Sequence, residues 1–231
     1  MTKYGRSDGK ELKMARKKSL GRPPGANSDE TRRRILEVAR HHIAERGYAG
    51  ATLKEISREV GLTSGAIYYY YGSKQQLVEA LITENHEVIQ ARFEAAAASA
   101  EMLPAKLVAV FEATQEIMDE QPDIARFSVT MRSDASRHGE LKSTLDKSSR
   151  AYFGFYRKLV GDAIEAGEIA PDLDSQEVAD MCTVISLGVT ALAVQVPSAR
   201  HRRAIRAVER LVEGTLFSPA ATKSLARGNG R

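Results

Sequence analysis

Four consecutive tyrosines, Tyr68 to Tyr71, hold half of the eight tyrosines in the chain. Successive residues on a helix stand about 100° apart, so no single core face can take all four. Ile67 and Tyr71, four residues apart, share a face and can pack inward, which leaves Tyr68, Tyr69 and Tyr70 pointing elsewhere. Phenol hydroxyls donate to phosphate oxygens while the rings cover sugar and thymine-methyl surface. Just upstream, Thr63, Ser64, Gly65 and Ala66 are all small, as a segment must be to enter a major groove without a steric wall. Lys74 adds a charge at the first turn of the next helix, where backbone N–H groups already favour phosphate. The chemistry within reach of these residues is recognition of a nucleic acid.

Signals for bond-making chemistry are thin. Cys182 is the single cysteine, so it supports neither an internal disulfide nor a structural zinc site. It sits in the most apolar stretch, where desolvation would raise its pKa and leave the thiol inert. His41 and His42 are adjacent and do not share a helix face for chelation. There is no glycine-rich phosphate loop. The expectation is a protein that is not an enzyme and holds no metal or cofactor; a cysteine nucleophile with a distant histidine is the rival reading.

The elements that must position these residues all read as helices, with no run of strict apolar/polar alternation between hairpin turns. Ser28 followed by Asp29 and Glu30 suits a helix start, and Ile35, Val38, Ala39, His42 and Ile43 keep one face until Gly47. Thr52-Leu53-Lys54-Glu55 is a capping box that opens a second helix. Its Leu53, Ile56, Ser57 and Val60 form an apolar stripe, and Gly61 ends it. A turn of three residues, Gly61-Leu62-Thr63, leads to a short helix from about Ser64 to Tyr70; these are the proportions of a helix-turn-helix. Ser73-Lys74-Gln75-Gln76 starts a long helix into the Ala95–Ala98 run. Further helices follow Pro104 (to Asp119) and Pro122, then span about 139–166, 175–196 and 198–216. The fold class is all-α with about nine helices. Four regions are expected: a basic arm (1–27), a helix-turn-helix domain (28–72), a helical ligand-binding and dimerisation domain (73–217) and a C-terminal tail (218–231).

Residues 31–77 as a block resemble the N-terminal DNA-binding region of the tetracycline-repressor (TetR) family of transcriptional regulators. The matching pieces are Ile35-Leu36 with Ala39, the Gly47-Tyr48 break, Thr52-x-x-Ile56-Ser57, Val60-Gly61-Leu62, Gly65-x-Ile67-Tyr68-Tyr69-Tyr70-Tyr71 and Ser73-Lys74-x-x-Leu77. The family often has His where Tyr70 stands and Phe where Tyr71 stands; each change keeps an aromatic ring and bears on base preference rather than on fold. The resemblance implies that Lys54, Thr63, Ser64, Gly65, Tyr68, Tyr69, Tyr70 and Lys74 approach DNA and that Ile67 and Tyr71 are core. It also implies a four-helix dimer interface from the last two helices and a ligand chamber among the central ones. Phe93, Phe111, Met118, Phe127, Met131, Tyr152, Phe153 and Tyr156 could line that chamber, although such residues are more often plain core, with His86 and Arg126 as candidate polar partners.

Composition sets the outer bounds. With 231 residues, 42% of them hydrophobic, the chain can bury a real core and is too apolar to be intrinsically disordered. The net charge of +4 conceals an asymmetry: residues 1–27 carry eight basic side chains against two acidic ones. That arm is either a solvated leader or a phosphate-neutralising extension whose contribution would fall with salt, and Gly21-Arg22-Pro23 could enter a minor groove. The opening residues lack the apolar stretch of a secretory signal, and Met181 to Val196 is too short and interrupted to span a bilayer, so a soluble cytoplasmic protein is expected. That same stretch is apolar nearly all round, as a helix is when one face meets its own core and the other a twin subunit. The integrated expectation is a homodimeric, ligand-responsive regulator, a repressor of a palindromic DNA operator with an apolar small-molecule effector. A constitutive regulator or activator without an effector is the alternative; a membrane-surface or scaffold protein would explain the arm but not residues 52–77.

Overall fold

The computed structural model describes residues 24–218, and its side chains from Ser28 onward. The expected arm up to residue 23, with Gly21-Arg22-Pro23, lies outside the described residues, as do positions 219–231. Among the described residues there are nine α-helices and no strand: α1 Pro24–Gly50, α2 Leu53–Val60, α3 Ser64–Tyr71, α4 Lys74–Ala98, α5 Leu103–Glu120, α6 Pro122–Asp134, α7 Lys142–Glu165, α8 Ser175–Ala193 and α9 Ser198–Val212. A short 3₁₀ turn, Gly139–Leu141, precedes α7.

Most helix boundaries follow from local chemistry. The Thr52, Thr63 and Ser73 side chains each accept a hydrogen bond from the backbone N–H three residues on, capping α2, α3 and α4. At Thr52 the reciprocal half of the expected box differs, because its hydroxyl donates to the Glu55 carboxylate at 2.7 Å. Ser28 is not a cap: α1 begins one turn earlier at Pro24, and a proline's fixed φ and missing N–H suit a first turn. Helices α8 and α9 also stop short of their expected ends at 196 and 216. Pro197 disfavours helical geometry in the residue before it, and Gly214 turns the chain at φ +72°.

Two glycines are required by the backbone. Gly47 has φ +72° and breaks α1; a Cβ there would stand 3.0 Å from Asp134 Oδ2, the atom that accepts the Tyr48 N–H. Gly61, at φ +79°, ends α2 in the left-handed region and sets up the turn to α3.

The helices enclose two apolar cores. The first joins α1 to α3 with the start of α4, around Ile35, Ile56, Ile67 and Leu77, and is completed by Phe127, Met131 and Leu141 from the second half of the chain. The other joins the end of α4 to α5 and α7–α9 around Phe93, Phe111, Tyr156 and Val160, with Ile124 of α6 in it. Helices α4 and α6 therefore belong to both cores.

Candidate nucleic-acid interface and inner cavity

Helix α3 divides its residues sharply. Ile67 is fully buried and Tyr71 nearly so, its hydroxyl donating to the Arg32 carbonyl at 3.2 Å. Burial pushes the Tyr71 phenol up to about 12, so it stays a neutral donor. On the outer side Tyr68 is 52% and Tyr69 86% exposed. Tyr70 is half-buried, in edge contact with Tyr69 and beneath the Arg32 guanidinium, 5.5 Å from its ring centroid.

The small residues at the start of α3 have distinct duties. The Thr63 side chain caps the helix. Half-buried Ser64 meets Ser57 of α2, Oγ to Oγ at 3.1 Å, which fixes the angle between the two short helices. Gly65 is exposed, and a Cβ built on it would find only Thr63 Oγ1 at 3.8 Å, an ordinary contact. The fold does not demand a glycine there.

Exposed Lys54 and Arg58 on α2 and Arg32 on α1 add positive charge around α3. Arg32 escaped the sequence reading; its signal is the Arg32-Arg33-Arg34 run on the helix that α3 packs against. Lys74 is more engaged than expected. Its Nζ reaches the Ala49 carbonyl at 3.5 Å and stands 4.6 Å from the Tyr48 ring, and partial burial lowers its pKa.

A second feature lies behind this surface: a cavity of about 110 Å³ between α4, α5, α6, α7 and α8. Of the residues put forward for a chamber, Phe93, Met118, Phe127, Met131, Tyr152, Phe153 and His86 line this cavity. Phe111 and Tyr156 are not among its walls; both are fully buried in the surrounding core. Arg126 points away and pairs with Glu45 of α1. Asn85, Ser128 and Arg132 are wall residues that the sequence reading missed. Asn85 has a visible signal, since it is a lone amide inside the apolar face of Leu81, Ile82 and Ile89.

Two of the helices that wall the cavity, α6 and α4, are clamped to α1. From α6, Asp123 meets His41 at 3.0 Å, Arg126 pairs with Glu45, and Asp134 accepts the Tyr48 N–H. From α4, Glu84 pairs with Arg40 at 2.5 Å. His41 and His42 thus serve different partners, the second meeting Glu59 of α2 at 2.8 Å. Cys182 is buried in α8, and burial pushes its thiol pKa up. On that helix Met181 and Val184 stand 52% and 68% exposed. No helix among the described residues is long and apolar enough to cross a membrane.

An amphipathic α2 that holds an outward-facing α3 at a fixed angle, on top of a helical body, defines a helix-turn-helix DNA-binding regulator. Residues 35–81 match the family model described as "Bacterial regulatory proteins, tetR family". Over those residues the chain carries the DNA-binding region of the TetR family of transcriptional regulators. It is 24% identical to the HTH-type transcriptional regulator UidR of Escherichia coli K12 over 161 residues, 70% of this chain and 80% of that protein. Among solved structures, GusR of Salmonella enterica is 25% identical, with a TM-score of 0.66 over 85% of this chain and 98% of that one. FadR of Bacillus subtilis, solved in complex with stearoyl-CoA, is 18% identical and shares the fold with a TM-score of 0.65, covering 80% of this chain and 99% of its own.

Proposed function

We propose that the protein is a homodimeric, ligand-responsive transcriptional repressor acting in the cytoplasm. Two copies of the head formed by residues 28–72 hold a palindromic operator, and a small, largely apolar effector entering the cavity releases it. Lys54, Thr63, Ser64, Gly65, Tyr68, Tyr69, Tyr70 and Lys74 make the DNA contacts. Residues 73–217 bind the effector and, through about 175–216, pair the subunits. The observation that carries this reading is α3 itself, where the most exposed tyrosine, Tyr69, stands two residues from the fully buried Ile67.

Duplication follows from energetics, because one short helix makes too few contacts to hold DNA well. The exposed Met181 and Val184 on α8 supply an apolar face for a twin. Release follows from the shared helices: α4 and α6 wall the cavity and are clamped to α1, so an effector that spreads them moves the head. Such an effector must bind the arrangement that fits DNA badly more tightly than the one that fits well.

Selection of bound sequences from a pool of random duplexes tests the core of this reading. Two related half-sites about one helical turn apart are expected. An unenriched pool, or a single asymmetric site, would overturn it.

A further inference from the structure

The cavity read above as the effector site is chemically lopsided, and the inference drawn here rests on that reading. Its walls carry no aspartate or glutamate, yet they carry two bases, Arg132 on α6 and His86 on α4. Arg132 makes no hydrogen bond or ion pair among the described residues, whereas Arg126 and Arg137 nearby pair with Glu45 and Asp134. It stands where the cavity meets solvent, and the protein packed around its guanidinium lowers its pKa. A guanidinium at the cavity wall without a counter-charge is free to take an anion that enters beside it.

Two of the other polar walls do not compete for that anion. The Asn85 amide donates to Ser128 Oγ at 2.8 Å, which leaves its buried Oδ1, an acceptor that repels negative charge, without a partner. The Tyr152 hydroxyl is engaged with Ser186 at 2.6 Å. Ile89, Phe93 and Met118 make much of the remaining surface apolar.

We propose that this cavity selects a small organic acid with an apolar body, the carboxylate meeting the Arg132 guanidinium and the body lying along Ile89, Phe93 and Met118. Carboxylate rather than phosphate is favoured because one free guanidinium matches one planar monoanion in two parallel hydrogen bonds. An apolar cavity of about 150 Å³ holds a benzene ring, so the 110 Å³ here admits a ring or a short chain only if the walls give slightly. Filling the cavity and moving α4 and α6 are then one event.

Two matched probe pairs test this with the full chain at neutral pH: octanoate against 1-octanol, and 3-phenylpropanoate against 3-phenylpropanol, each titrated by calorimetry. The native protein should bind each acid at least about tenfold more tightly than its alcohol. Arg132→Gln should bring each acid to within about threefold of its alcohol while the alcohols bind as before, and Arg132→Lys should keep part of the preference. Equal binding of acid and alcohol by the native chain, a preference undiminished in Arg132→Gln, or no binding of any of the four probes would each overturn the proposal. None of these readouts involves DNA, so the regulator reading stands or falls separately, on the duplex selection.

Discussion

Helices α3 and α8 both leave large side chains in water, and the kinds they leave are different. Helix α3 exposes Tyr68 and Tyr69, rings that end in a hydroxyl, beside the cations Lys54, Arg58 and Arg32. Helix α8 exposes Met181 and Val184, which offer area and almost no hydrogen bonding. A phenol stays solvated while it waits and exchanges water for phosphate oxygen when DNA arrives, so the first surface suits a wet, charged partner that comes and goes. The second gains only by leaving water for good, which suits a permanent partner such as a second copy. Exposed charges of both signs stand on α8 and α9, Glu177 and Asp180 on the first and Arg203 and Arg206 on the second. The lesson is that exposed apolar area does not name a partner until the polar atoms at its tips are counted.

The comparison can be broken most forcefully at α8. Replacing Met181 and Val184 together by arginine should give a monomer in sedimentation and lower operator affinity by about a hundredfold or more, since one head loses its tethered twin; a dimer that persists would show that α8 is not the seam. Next in size is the contrast within α3. Ile67→Ala should lower unfolding free energy by about 2–5 kcal/mol in denaturant titrations. Tyr69→Ala should leave stability unchanged and weaken operator binding about tenfold, as loss of a hydrogen bond to a charged group does. Matching stability losses in the two variants would put Tyr69 inside rather than outside. Lys54→Ala should flatten the slope of log affinity against log salt by about 1 with base preference intact. The smallest effect belongs to Gly65→Ala: a stability gain of about 0.5 kcal/mol from helix propensity, accompanied by weaker operator binding because the new methyl group faces the groove.

Much of the head was legible because its signals are local. A threonine or serine ahead of a glutamate or glutamine marks a cap, and the spacing of Leu53, Ile56 and Val60 marks the buried face, without knowledge of the rest of the molecule. The cavity was only half legible, because which face of a central helix meets a void depends on five helices at once. On α6, Arg126 and Arg132 look interchangeable in the sequence. The first is drawn to Glu45 of α1, and the second lies on the face of Ala125 and Ser128 that turns to the cavity. Phe127 and Met131 were expected in a chamber; they line it, and they also close the core of the head. That dual membership, which ties the cavity to the core of α1–α3, arises from the way α6 packs across α1 and leaves no local trace.

The central claim is that α3 presents its outer tyrosines, twice over, to a double helix. A photo-reactive benzoylphenylalanine in place of Tyr69, irradiated on the selected duplex and mapped to single nucleotides, tests it most directly. Two cross-linked positions are expected, related by the two-fold axis of the site and about 34–36 Å apart. A duplex that is bound and shifted yet shows no cross-link at residue 69, or shows one at a single position only, would contradict the account.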